Sequence, residues 1–278
     1  MTITIIGIGL IGGSAAIDLK KRQFADTIIA VDSDKLHAET AKNIGLTDEI
    51  ADLKEGIEKA DIIIVAVPVD ATQKLLPQIL DNIDNQTVID VCSTKKGICN
   101  LVRNHPKRKN FVAAHPMAGT EHSGPWAAIS HLFDGKSVII CNAEESSEKA
   151  LKEAEDLFGT LNMRIIHTDA ESHDIHAAYV SHISHISSFA LALTVLEKEQ
   201  DEKHIFNMAG GGFRSTVRLA KSSSEMWTPI FMQNAENIID VIDTYIEKLQ
   251  SFKKAISDKD KSETEKFILS ANKIKRIV

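Results

Sequence analysis

His115 closes the apolar run 111–114, and a histidine at that place has the chemistry to take a hydrogen bond from a substrate hydroxyl. Neutral imidazole accepts well near pH 7, so His115 is a candidate hydrogen-bond acceptor or base. Ser93, at the end of Asp90-Val91-Cys92-Ser93, is placed to orient the same hydroxyl. Taken alone, a histidine in such a place is a loop or core residue more often than a catalyst. His182 and His185 lie three apart, a spacing that shares one face of a helix. They lack the glutamate of H-E-x-x-H and a third ligand nearby, so no metal is expected. Arg214 and Arg218 supply guanidinium groups suited to carboxylates, although a surface position is the commoner fate of any single arginine.

A phosphate-binding turn is legible at the N-terminus. Gly7, Gly9 and Gly12 form G-x-G-x-x-G, with Leu10 and Ile11 inside it, directly after one apolar run and at the head of a helical one. Gly7 permits the tight turn, Gly9 lets backbone approach a pyrophosphate, and Gly12 lets helix and strand pack closely. Asp32 follows Gly12 by 20 positions, at the end of the second run, where a carboxylate accepts from ribose hydroxyls. Its charge opposes the extra phosphate of NADP, so NAD is the expected cofactor, with Lys35 leaving a minor NADP activity open. Val67 and Pro68 end a further run and should border the nicotinamide, although Pro68 reads equally as a strand terminator.

Those residues need a scaffold that brings strand ends together. Short β-branched runs at 2–6, 27–31, 61–67, 87–91, 110–114, 137–141 and 163–167 alternate with amphipathic stretches at 11–22, 35–43, 71–82 and 147–161. That alternation predicts an α/β fold, a doubly wound and mostly parallel Rossmann-type sheet spanning 1–167. From 168 onward apolar residues recur at steps of three and four with no strand pattern, which predicts an all-helical domain at 168–278. Thr228-Pro229 reads as a cap and first turn opening a helix through 252, and the lysine-rich stretch 253–276 as one more solvated helix. Gly211, within Gly210–Gly212, offers close backbone approach to a ligand or simply a flexible turn. Trp227 reads as a pocket wall or a hydrophobic staple.

The totals set limits. At 278 residues the chain has room for two domains, and its formal charge of −7 speaks against a nucleic-acid partner held by counterion release. Cys92, Cys99 and Cys141 are widely spaced and odd in number, which implies reduced thiols. Neither a signal peptide nor an apolar run of membrane length is expected, so the cytoplasm is the expected compartment. A largely helical second half favours a homodimer, because paired helices hide apolar faces.

The motifs G-x-G-L-I-G-G-S at residues 7–14, H-P-x-A-G-T-E at 115–121, S-H-x-x-H at 181–185 and G-G-G-F-R at 210–214, followed by Arg218 and Met226-Trp227, together resemble prephenate and arogenate dehydrogenases. The resemblance covers nearly the whole chain in the family's order. It implies NAD-dependent oxidation and decarboxylation of prephenate to 4-hydroxyphenylpyruvate in tyrosine biosynthesis. It also implies His115 as catalytic acceptor, Ser93 as its partner, and Glu121 as part of a gate. His182, His185, Arg214 and Arg218 would surround the substrate carboxylates as imidazolium or guanidinium partners, with Gly211 and Trp227 lining the site. Arogenate is the alternative substrate; β-hydroxyacid dehydrogenases and ketol-acid reductoisomerases share the architecture but not H-P-x-A-G-T-E. An NAD-sensing module with no catalysis is a reading of a different class. The chain has room for neither the chorismate mutase domain nor the tyrosine-sensing domain that family members often carry, which puts tyrosine feedback in doubt.

Overall fold

A computed structural model describes residues 1–202 and 204–276, so residue 203 and the last two positions of the expected helical domain lie outside the described residues. By contacts the chain divides into two compact units, Met1–Asn234 and Ala235–Val278.

In the first unit, β1 (Thr2–Ile6), α1 (Leu10–Lys21), β2 (Thr27–Val31), α2 (Lys35–Asn43), β3 (Glu49–Ile50), α3 (Leu53–Lys59), β4 (Ile62–Val65), α4 (Val69–Asn82), β5 (Thr87–Asp90), α5 (Lys96–Val102) and β6 (Phe111–Pro116) alternate, with β3, α3 and α5 added to the elements the sequence pattern predicts. Then come β7 (Ser137–Cys141), α6 (Glu148–Thr160) and β8 (Arg164–Thr168). The eight strands form one sheet ordered β3-β2-β1-β4-β5-β6-β7-β8. Among the described strands only the β6–β7 pairing is antiparallel. β1, β4 and β5 are Ile- and Val-rich and almost wholly buried, as a sheet covered on both faces requires.

The pairing register sets the level at which the chemistry sits. Ile6 pairs Val31 and Val65, Val65 pairs Asp90, and Asp90 pairs Ala113. The residues just beyond that line are Gly7, Asp32, Ala66, Val91 and Ala114, so the turn after β1, Asp32, the Val67-Pro68 corner, Ser93 and His115 all emerge at one edge of the sheet. β1 has β2 on one side and β4 on the other, so the strand order reverses between β1 and β4, which makes that edge the crevice where open α/β sheets bind ligands.

After β8 the described chain is helical. Ala170–Ala177 (α7) runs into one π turn, Ala178–His182, and on into α8 (Ile183–Asp201). The short α9 (Gly211–Thr216) and a 3-10 turn, Arg218–Lys221, lead to α10 (Ser224–Gln233). The second unit is a helical pair, α11 (Ala235–Ser257) and α12 (Lys261–Ala271), ending in the 3-10 segment Asn272–Arg276. Asp260 caps α12 by accepting from Glu263 N at 2.9 Å, and Phe252 packs on Phe267 with ring centroids 5.1 Å apart.

Three expectations need correction. Thr228-Pro229 does not open a helix: Ser223 is the N-cap of α10 and Pro229 lies inside it. The proline removes one backbone donor there, and the true break falls at Asn234, before α11. The stretch 253–276 is likewise not one helix, because α11 ends at Ser257 and Asp260 starts α12. Finally, the 31 residues Ala170–Gln200 form one helix long and apolar enough, by length and composition, to cross a membrane. Scattered serines and histidines hid that run, and the π turn lets it continue as a single rod.

Candidate active site

Two of the motif glycines are fixed by packing. Gly7 has φ +93°, and a Cβ there would fall 2.6 Å from Ala66 O and 2.7 Å from Val67 Cγ1. A Cβ on Gly12 would fall 2.2 Å from Gly7 O. Gly9 differs, since a Cβ there would meet nothing within 4 Å. It is the N-cap of α1 and no side chain caps that end. The first-turn amides, with Leu10 and Ile11 half-buried beside them, therefore face open space, and the turn fits a dinucleotide pyrophosphate. Asp32 Oδ2 accepts from Ile8 N at 3.0 Å and Oδ1 from Asp34 N at 2.9 Å. The expected ribose acceptor thus also holds the glycine turn, a role its spacing did not disclose. Val67 is half-buried against Gly7 and the exposed Pro68 is the N-cap of α4; β4 already ends at Val65, so the proline starts the helix rather than ending the strand.

His115 is 9% exposed, near the end of β6. Its Nδ1 lies 2.9 Å from His173 Nε2, and His173 Nδ1 lies 2.8 Å from Asp174 Oδ1. Asp174 accepts two further hydrogen bonds, from Lys95 N at 2.8 Å on Oδ1 and from Lys96 N at 3.0 Å on Oδ2. Burial, with smaller contributions from His173, Lys95 and His182, holds the His115 imidazole well below its ordinary value, so it is neutral at pH 7. Ser93 is half-buried, and among the described residues its hydroxyl has no protein hydrogen-bond partner. The structure therefore joins His115 to His173 rather than to Ser93.

His182 and His185 do share a face, and Trp227 is what they share. His185 stacks on the indole with centroids 3.5 Å apart, and His182 meets it edge-on at 6.0 Å. The three-residue spacing sets this, His182 closing the π turn and His185 lying in the first turn of α8. Asn234 Nδ2 donates to Asp174 O at 2.7 Å and lies 3.1 Å from His182 Nδ1. Among the described residues, His182 Nε2 and Trp227 Nε1 are buried with no protein partner. Burial pushes His182 down to about 4 and also lowers His185. Both are neutral at pH 7, which corrects the expectation of imidazolium partners and leaves positive charge to the arginines.

Arg218 Nη1 donates to Glu121 Oε2 at 3.0 Å, and its charge also reaches His185. Glu121, on the β6–β7 connection, is held below the usual carboxylate range by a backbone hydrogen bond and by Arg218. Gly211 and Arg214 are exposed on α9, and among the described residues no hydrogen bond, ion pair or ring contact links them to His182 or His185. Sequence reasoning missed His173, Asp174 and Asn234. Adjacent residues on a helix do not face one another, so His173-Asp174 carried no spacing signal. The three cysteines are buried and free, and burial pushes the Cys92 thiol up to about 12, far from a reactive thiolate. Among the described residues no group of three or more His, Cys, Asp or Glu side chains could hold a metal ion.

The family model for the prephenate dehydrogenase nucleotide-binding domain matches residues 15–167, and that for the prephenate dehydrogenase dimerization domain matches residues 169–270. The chain belongs to the prephenate dehydrogenase family. It is 32% identical over 278 residues to a prephenate dehydrogenase of Lactococcus lactis subsp. cremoris (strain MG1363), spanning 99% of this chain and 76% of that one. Among solved structures, prephenate dehydrogenase from A. aeolicus in complex with hydroxyphenyl propionate and NAD+ superposes with a TM-score of 0.90 at 30% identity, covering 100% of this chain and 97% of the other. Synechocystis arogenate dehydrogenase superposes at 0.76 with 25% identity and 99% coverage of each chain.

Proposed function

We propose that this chain oxidises prephenate with NAD, releasing carbon dioxide and 4-hydroxyphenylpyruvate on the route to tyrosine. The observation that carries the reading is a buried, neutral His115 at the same sheet edge as the glycine turn and Asp32. When bound, NAD supplies the acceptor for the hydride that leaves the hydroxyl-bearing ring carbon. His115 takes the hydrogen bond of that hydroxyl as the carbon becomes carbonyl-like, and Ser93 orients it. The ring carboxylate departs as carbon dioxide, its bonding pair completes the aromatic ring, and the oxygen keeps its proton as a phenol. Aromatisation drives the reaction, so the protein's task is alignment and acceptance of a hydrogen bond.

Arg218 and Arg214 provide the charge for the two carboxylates, while His182 and His185 act as neutral donors or acceptors beside them. Glu121, Gly211 and Trp227 line this part of the site. Leu10, Ile11 and the glycines Gly7, Gly9 and Gly12 cradle the pyrophosphate; Asp32 takes the adenosine ribose, and Val67-Pro68 borders the nicotinamide. Residues 1–167 form the dinucleotide domain and 168–278 the substrate and dimerisation domain of a cytoplasmic enzyme. Val180, Leu193 and Leu196 on the α8 rod, and separately Ile239, Ile246, Leu249 and Ile256 on α11, are exposed apolar residues that a second copy of the chain would cover.

Arogenate carries an ammonium where prephenate has a keto oxygen, and its recognition calls for an available carboxylate. Glu121, the carboxylate beside these cations, is already engaged by Arg218, which favours prephenate. The deciding experiment is NADH or NADPH production from prephenate and arogenate, each with NAD and NADP. Turnover confined to prephenate with NAD is expected. Turnover of arogenate alone would overturn the substrate assignment, and NAD binding without any turnover would overturn the catalytic one.

A further inference from the structure

We propose that His173 and Asp174 are positioning residues that lock His115 into the tautomer carrying its hydrogen on Nδ1, so that Nε2 is always the free acceptor. The inference rests on the reading of His115 as the acceptor of the substrate hydroxyl and deepens it.

The argument follows the hydrogen bonds inward from the sheet edge. Both oxygens of Asp174 already accept backbone amides, from Lys95 and Lys96. A carboxylate filled by donors presents only lone pairs to a third neighbour, so at 2.8 Å it is His173 Nδ1 that donates. A neutral imidazole has one N–H, and with the hydrogen on Nδ1 the His173 Nε2 is an acceptor. At 2.9 Å from that acceptor His115 Nδ1 must donate, which leaves its own hydrogen-free nitrogen at Nε2. Each bond in the series is buried, His173 and Asp174 being 4% and 2% exposed, so water does not compete for either partner. An acceptor that flipped its tautomer would offer the substrate hydroxyl a second donor and lose the interaction.

Asp174 is itself held from three sides, by the two amides and by Asn234 on its main-chain carbonyl. The β5–α5 loop, α7 and the end of α10 therefore converge to fix one proton on one ring.

The test reads the tautomer directly. Full-length protein with nitrogen-15 in its histidine rings should show His115, assigned by loss of its signals in His115→Asn, with a protonated Nδ1 and an unprotonated Nε2. In Asp174→Asn the amide can donate to His173, reversing the series; the His115 signals should exchange character, and kcat should fall about 100-fold with the KM for prephenate changed less than about threefold. Should Asp174→Asn fail to fold, His173→Gln and His173→Leu replace it. Glutamine retains an acceptor for His115 Nδ1 and should keep kcat within about tenfold, whereas leucine should lose about 100-fold. A wild-type spectrum with Nε2 protonated overturns the inference, as do unchanged His115 signals in Asp174→Asn or equal activities for the Gln and Leu variants. The spectra do not depend on turnover, so a correct tautomer in a protein inert toward prephenate would sink the functional reading alone.

Discussion

Lys95 Nζ donates to the main-chain oxygen of Ala114 at 2.6 Å, so a fully buried ammonium grips the residue that precedes His115. The same ammonium is hydrogen-bonded to Asp90, which is also fully buried. Burial opposes the charge on Lys95, yet the Asp90 carboxylate outweighs it and holds the ammonium above its ordinary value. The pair braces the ends of β5 and β6 from within.

Removing one partner should be far worse than removing both. Lys95→Met leaves Asp90 as a lone buried charge and should cost about 3–5 kcal/mol in urea denaturation. Lys95→Met combined with Asp90→Asn should recover much of that loss. A double variant no more stable than the single one would show that Lys95 matters through packing alone.

Stability should fall on mild acidification because the buried histidines resist protonation. An unfolded histidine binds its proton near pH 6.5, whereas folded His182 does so near 4. Between those values the unfolded chain holds the extra proton, so stability drops as pH is lowered through this window and is independent of His182 above it. The loss between pH 6.5 and 5 should be about 1.5 kcal/mol for this group. His115, also depressed by burial, adds in the same direction. Urea midpoints at pH 7 and 5 measure the loss, and His182→Gln should reduce it.

Two of the motif glycines, Gly12 and Gly9, should respond differently to alanine. Gly12→Ala drives a methyl into Gly7 O and should destabilise the fold by several kcal/mol, on the order of 1–3 or more. Gly9→Ala meets open space, so its Tm should stay within about 2 °C of wild type. Its dissociation constant for NAD should nevertheless rise at least about tenfold, because the methyl occupies the approach to the helix amides. Unimpaired NAD binding by Gly9→Ala would remove that turn from the cofactor site.

Arg218 and Glu121 should separate by kinetics rather than by stability. Their ion pair is half-exposed, so Arg218→Ala should cost less than about 1 kcal/mol of folding free energy. Its KM for prephenate should rise about 10- to 100-fold if the guanidinium holds a carboxylate, with a smaller change in kcat. Glu121→Gln releases Arg218 and should leave KM within about threefold of wild type. Equal KM increases in both variants would mean that the pair, and not the arginine, is what the substrate needs.

Much of the nucleotide half was written locally. The β-branched runs and the G-x-G-x-x-G turn are short-range signals, and Thr2–Ile6, Thr27–Val31 and Ser137–Cys141 fall at the expected bounds. The short elements Glu49–Ile50, Leu53–Lys59 and Lys96–Val102 escaped because so few residues give little periodicity. Pro229 misled because proline marks first turns on average, and here the helix began earlier, at Ser224. His115 could be singled out by its place at a strand end. Its bond to His173 spans 58 residues and exists only once α7 lies over the sheet edge. Likewise the neutrality of His182 and His185 comes from burial, which residue type cannot reveal.

The single π turn at Ala178–His182 also limits which length changes this chain can tolerate. A residue added to or lost from an exposed loop shifts only its neighbours, but one removed from this turn would rotate everything after it by about 100°. His185 would leave the face of Trp227, and every apolar position along α8 would change sides together. The segment between Ala177 and Ile183 behaves as a phase lock, where a deletion is survivable only with a compensating insertion in the same rod.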